Sequence, residues 1–240
     1  MEPVLVGKIL NTANSVYYGG GRQPLRSLSL AVSRLGLKIV RELVYTFMLP
    51  KLFSRISTID HRQFWRHSLA VGLFNRHLGR RAGGDWDEPD LAYLIGIFHD
   101  LGILVFSIII PADYRKLLEK CHEFRCPLEK MEQEMLGIDH AELGALFIEN
   151  YWKLDESIWM PVKLHHYPVA EDNITRRRAQ LLNITNSICN NQGIGNGAQH
   201  YMDVFYIGAW LDMGFSLGDA EDILSQVQSS VDNAEMLLSL

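Results

Sequence analysis

The chain has 240 residues, with 23 Lys and Arg against 28 Asp and Glu, and so a formal net charge of −5. Hydrophobic residues make up 48% and charged residues 21%, which excludes disordered and collagen-like chains, and the acidic balance gives no support to nucleic-acid binding. Three Cys are an odd number and too few for a disulfide scaffold, so a reducing cytoplasm is the expected location; nine His are the one unusual count.

In chain order, Pro3–Asn14, Leu28–Leu35 and Leu37–Phe53 read as helical, with the Gly19-Gly20-Gly21 turn between the first two. Asp60 caps a helix running to about Gly83, in which Phe64, His67, Val71, Phe74 and Leu78 form one stripe at three- and four-residue steps. Glu88-Pro89 opens the next helix, bounded by Pro111. Its core, Leu91–Ile110, is apolar and close to the length of about 20 residues that spans a bilayer. His99-Asp100 stands at its middle, where an Asp costs about 2.5–3.5 kcal/mol on insertion. Its flank carries Asp85, Asp87, Glu88 and Asp90 and no basic anchor. A buried central helix is the better reading, and no membrane span is expected.

Pro111 also starts a helix to about Phe124, and Pro127 a short one ending near Gly137. Asp139 caps a helix to about Trp152, and Asp155 another to about His166, stopped by Pro168. Thr175 caps Arg176 to Asn191, with Arg176-Arg177-Arg178 as a solvated basic run. Gly193, Gly195 and Gly197 then make a loop, followed by helices near Asp203–Met213 and Leu217–Leu240. No stretch alternates apolar and polar residues over a strand's length, so the fold class is all-α, a single compact multi-helix domain.

The histidines divide into two groups. His61, His77, His122 and His200 have polar neighbours and read as surface residues. His67, His99, His140, His165 and His166 fall on apolar stripes or end them. One such His is more often a hydrogen-bonded core residue than a ligand. Five together with Asp100 form the donor set of a divalent transition metal, and burying that many polar groups without a shared purpose would cost free energy at each. Neighbours on a helix project about 100° apart, so His99 and Asp100 reach one ion only at the helix flank. His67 can face it from the preceding helix, and Asn186, on a stripe with Leu182 and Cys189, is the candidate from a later one.

The pattern of His67, then His99-Asp100, then a late polar position resembles the HD superfamily of metal-dependent phosphohydrolases, and more closely its bacterial relative, the HDOD domain. The resemblance rests on ILNTANSVYYG (Ile9–Gly19), LSLAVSRLG (Leu28–Gly36), FWRHSLAVG (Phe64–Gly72), LIGIFHDLGILV (Leu94–Val105), DHAELGALFIENYW (Asp139–Trp152) and VKLHHYP (Val162–Pro168), in the family's order. It implies an HDOD domain over residues 1–210 with a helical extension over 211–240. The family carries further helices ahead of Glu2-Pro3, so a truncated or re-started domain is expected.

Related HD-GYP phosphodiesterases hold metals with residues matching His67, His99, Asp100, His140, His165 and His166, so the resemblance implies an Fe, Mn, Zn or Ni site, with Asn186 in place of the final Asp ligand. If the chain is active, Asp100 and His140 are the residues expected to act. Three positions depart. Gln63 stands where a ligand Glu is common, Asn186 is neutral, and Ile103 occupies the Lys of HD-x-x-K, which contacts substrate phosphate. Phosphodiester hydrolysis needs an activated water, a held phosphate and charge compensation, and Ile103 supplies none of the last. HDOD domains are regarded as regulatory modules. The resemblance therefore implies a signal-transduction module with a protein partner or a nucleotide-like ligand, and a metal-dependent phosphohydrolase of a nucleotide or cyclic dinucleotide as the alternative.

Overall fold

The computed structural model describes residues 3–15, 18, 24–53, 58–82, 88–198 and 207–216, and beyond these residues 218, 219, 221, 222, 225, 228, 231 and 232. All regular structure among them is helical, as expected from the sequence. The helices are α1 (Pro3–Asn14), α2 (Leu28–Leu52), α3 (His61–Ala82), α4 (Pro89–Phe98), α5 (Leu101–Ile109), α6 (Pro111–Phe124), α7 (Leu128–Leu136), α8 (His140–Asn150), α9 (Glu156–Lys163), α10 (Asn173–Asn191) and α11 (Ile207–Asp212). They fall into two compact units divided near residue 55.

In the first unit, Ile9 and Ala13 of α1 bury themselves against Ala31 and Leu35 of α2. Gly36 (φ 77°, ψ 155°) interrupts α2 in a conformation that only glycine adopts readily, and it divides the helix where the sequence divides Leu28–Leu35 from Leu37–Phe53. The Asn14 amide closes the end of α1. Its Nδ2 donates to the Leu25 carbonyl at 2.9 Å and its Oδ1 accepts from the Leu25 N–H at 2.7 Å, so one side chain satisfies both polar groups of a loop residue. The Gly19-Gly20-Gly21 segment lies outside the described residues.

The second unit is built on two close helix crossings. A Cβ on Gly96 of α4 would stand 2.5 Å from the Cα of Gly72 on α3. A Cβ on Gly102 of α5 would stand 1.9 Å from the His140 carbonyl oxygen, with Gly144 on the same side of α8. No side chain fits at either place, so backbones approach at distances that larger residues would prevent. Around these crossings Phe64, Phe74, Leu78, Ile95, Leu101, Ile103, Leu104 and Ile148 are buried, each contributing roughly 1.5–3 kcal/mol of apolar burial. α9 packs on α4, α8 and α10, and α10 also packs on α3.

Three expectations need correction. The apolar helix from Pro89 is not continuous: α4 ends at Phe98 and α5 begins at Leu101. The break lies at His99-Asp100 because the His99 ring bonds the Gly96 carbonyl and Asp100 (φ −98°, ψ 11°) leaves the helical region. Next, α9 ends at Lys163 rather than near His166, since the His165 ring takes the Val162 carbonyl that a further turn would use. Finally, Asp172 rather than Thr175 caps α10, its Oδ2 accepting from the Thr175 N–H at 2.6 Å. Asp60, Asp139 and Asp155 cap as read. Pro89–Ile109 is long and apolar enough to cross a membrane, and most of that stretch is buried inside the protein. The last helix, Leu217–Leu240, lies largely outside the described residues.

Candidate metal centre

The second unit brings His67, His99, Asp100, His140, His165 and His166 together, and each arrives by a local reason. His67 sits mid-helix on the stripe of α3. His99 and Asp100 occupy the break between α4 and α5, His140 is the first residue of α8, and His165 and His166 follow the end of α9. Four of the imidazoles, those of His67, His99, His140 and His165, are 0% exposed, and Asp100 is 1% exposed.

The Nδ1 contacts set the tautomers. His67 Nδ1 lies 2.6 Å from the Ile194 carbonyl oxygen, His99 Nδ1 2.7 Å from that of Gly96, and His165 Nδ1 2.7 Å from that of Val162. His140 Nδ1 lies 2.6 Å from Glu132 Oε2. Carbonyl and carboxylate oxygens only accept, so each Nδ1 carries a proton, and in the neutral ring Nε2 keeps its lone pair. All four Nε2 atoms face Asp100. Those of His67 and His99 lie 3.5 and 3.1 Å from Oδ2, and those of His140 and His165 lie 3.5 and 3.8 Å from Oδ1.

The charges are strongly perturbed. Burial alone would raise the Asp100 carboxyl, but His99 and His140 hold it well below its usual range. Burial and the neighbouring His99 push His67 down to about 4. Burial and His166 hold His165 well below the usual imidazole value. For His140 burial also acts downward, but Glu132 and Asp100 outweigh it and carry the ring well above.

Two features fit these residues to a cation. Asp100 Oδ1 and His165 Nε2 are buried and make no hydrogen bond of ordinary length. His67 Nε2 and His99 Nε2 face each other at 3.2 Å, and His140 Nε2 and His166 Nε2 at 2.8 Å. With both Nδ1 protons of the first pair committed to carbonyls, two lone pairs point at one another, an arrangement that a shared cation relieves. The donors form two groups, His67 with His99 and Asp100, and His140 with His165 and His166, each with ligand atoms within 4.8 Å of one another. Imidazole nitrogen with one carboxylate suits a divalent first-row transition metal, and ring anchoring through the second nitrogen is the usual support of a metal-ligating His.

Asn186 is buried beside His67 and interacts with its ring, while its Oδ1 accepts from Asn190 Nδ2 at 2.9 Å. Gln63 is exposed, its Oε1 close to Gly197. Ile103 is wholly buried. Of the other histidines, His61 and His77 are half-buried, His122 is exposed and His200 lies outside the described residues.

Sequence reading missed three contributors. Glu132 is buried on α7 and bonds His140. Its signal was a carboxylate on the same stripe as Leu128. The loop after α10, read only as a break, supplies the Ile194 carbonyl to His67 and the Asn196 amide, whose Nδ2 donates to Asp100 Oδ2 at 2.6 Å. The Asn196 Oδ1 accepts from the Ala198 N–H at 3.0 Å, which orients the amide. No sequence pattern marked Asn196.

A sequence model of the HDOD domain matches residues 1–168. An uncharacterized protein of Treponema pallidum (strain Nichols) is 31% identical over 166 residues, which cover 69% of this chain and 31% of that protein, so the chain spans about a third of the length of this curated relative. A crystal structure of a candidate signal transduction protein from Marinobacter aquaeolei VT8 superposes with a TM-score of 0.77 at 18% identity, covering 100% of this chain and 53% of that one. A crystal structure of a candidate phosphohydrolase from Shewanella amazonensis SB2B gives 0.75 at 22% identity, covering 99% and 83%. These structures share the all-helical fold, and by the match over residues 1–168 the chain belongs to the HDOD family.

Proposed function

We propose that the chain is a regulatory signal-transduction module of the HDOD family, working in the cytoplasm, that holds a divalent metal through His67, His99, Asp100, His140, His165 and His166, with Asn186 beside them, and does not hydrolyse phosphodiesters efficiently. In this reading residues 1–210 form the HDOD domain and 211–240 its helical extension. The module acts on a protein partner or answers a nucleotide-like ligand, without nucleic acid or membrane.

The observation that carries the reading is an apolar side chain where the resemblance places a phosphate-contacting Lys. Ile103, in the position of their phosphate-contacting Lys, is 0% exposed in the core. Among the described residues, the ion-pair partners of Asp100 are all histidines. Ile103 offers a nucleotide phosphate no charge compensation at that position. The Marinobacter protein's description as a signal transduction protein agrees with a regulatory role.

The second reading, a phosphohydrolase using Asp100 and His140, is favoured by the convergence of all six ligand positions and by the Shewanella protein's description. Bound, a metal would polarise phosphate and activate water. The two are separated by loading purified protein with Mn, Fe, Zn or Ni, measuring bound metal by elemental analysis, and assaying cyclic dinucleotides and nucleotides. The regulatory reading expects bound metal, reduced in His99→Ala, and no turnover. Turnover that His99→Ala abolishes establishes the enzyme instead.

A further inference from the structure

The four anchored imidazoles are not anchored alike. Three Nδ1 protons go to backbone carbonyls, of Ile194, Gly96 and Val162. The fourth, on His140, goes to a carboxylate. Glu132 is 0% exposed, and a carboxylate is not buried at that depth without full compensation. Its two oxygens are compensated. Oε1 accepts from the Tyr114 hydroxyl at 2.5 Å, and Oε2 accepts from both the His140 backbone N–H at 2.8 Å and Nδ1 at 2.6 Å. Both oxygens are used, so Glu132 is not itself a ligand. Holding ring and backbone of one residue, it fixes where His140 stands and how its imidazole turns. From the other side, the Gly102 crossing sets the His140 carbonyl.

We propose that Glu132, backed by Tyr114, is a positioning residue that makes the His140–His165–His166 group the tighter of two cation positions. A carboxylate on the far nitrogen raises the electron density of the ring, so Nε2 becomes a stronger donor than in an imidazole bonded to a neutral carbonyl. The other group has only carbonyl anchors. One of them, Ile194, comes from a loop, and the Asp100 Oδ2 of that group is already shared with the Asn196 amide at 2.6 Å. The inference rests on the reading that the centre binds metal.

The test is equilibrium dialysis of metal-stripped full-length protein against Mn²⁺ alone, with circular dichroism of the metal-free proteins as the check on folding. Wild type is expected to show two classes of site. Glu132→Gln should weaken the tighter class by about 10–100-fold and leave the weaker class where it was. His99→Ala should do the reverse. A folded Glu132→Gln protein with both classes unchanged, or with both weakened equally, overturns the inference. If Glu132→Gln does not fold, Tyr114→Phe decides, since it removes one hydrogen bond and keeps the carboxylate. A roughly several-fold loss confined to the tighter class supports the assignment, and unchanged binding overturns it. Wild type that binds no Mn²⁺ overturns the metal reading itself, a result distinct from wild-type binding that Glu132→Gln leaves intact.

Discussion

His67 and His140 depart from the same ordinary value in opposite directions, so acid and alkali act on different parts of the centre. Folded His67 is pushed down to about 4 and His165 also lies low. Between pH 6.5 and about 4 the unfolded chain therefore binds protons that the folded His67 refuses, and stability falls as the solution is acidified through that window. The raised value of His140 works the other way: its contribution is fully present below 6.5 and is lost as pH rises through the folded value. Asp100 contributes above 3.8 and loses its contribution as pH falls through its depressed value. Urea midpoints measured from pH 4 to 9 in chelator should decline on the acid side from pH 6.5 downward; a flat profile there contradicts the burial of neutral His67. At this scale His67, His99, Asp100 and His140 were legible because their residue types are metal donors and they interrupt apolar stripes. Glu132 and Asn196 were not. Each is of a type common on surfaces, and its role depends on a partner that only the tertiary fold supplies: His140 and Asp100.

Helix starts were the most readable elements, since a capping Asp acts on N–H groups two or three residues away. Interruptions inside apolar runs were not readable, because the run from Leu91 to Ile110 carries no Gly or Pro at the point where it breaks. There a histidine ring replaces a helical hydrogen-bond partner. The crossing of α5 and α8 was hidden as well, since nothing in a lone Gly states how close another backbone comes. Gly102→Ala would drive a Cβ into the His140 carbonyl oxygen. It is expected to cost about 1–3 kcal/mol or more, as overpacking does, and to lose metal because the ring of His140 moves with its backbone. Gly7→Ala is the contrast. Gly7 is exposed within α1 with open space around it, so the same substitution should stabilise by roughly 0.5–1 kcal/mol. Thermal melts and bound-metal analysis of the two variants check both statements.

At the scale of the molecule, fold class and family were legible because many short motifs in fixed order constrain a topology together, whereas the division near residue 55 was not, since no linker composition marks it. The loop from Gln192 to Ala198 bears on time as well as on affinity. Ile194, Asn196 and Ala198 are themselves buried, and two of them bond His67 and Asp100, residues with almost no exposed surface. Donors buried this deeply favour a release that waits on local opening. Release into excess chelator should then reach a plateau rate that more chelator does not raise. Asn196→Ala, which removes a hydrogen bond to a charged group worth about 1.5–3 kcal/mol, should lift that plateau by roughly 10–100-fold. A rate that climbs in proportion to chelator without limit would mean that the loop is no barrier. A loop that sets the residence time in this way would let the module hold a memory of its last metal for as long as the loop stays shut.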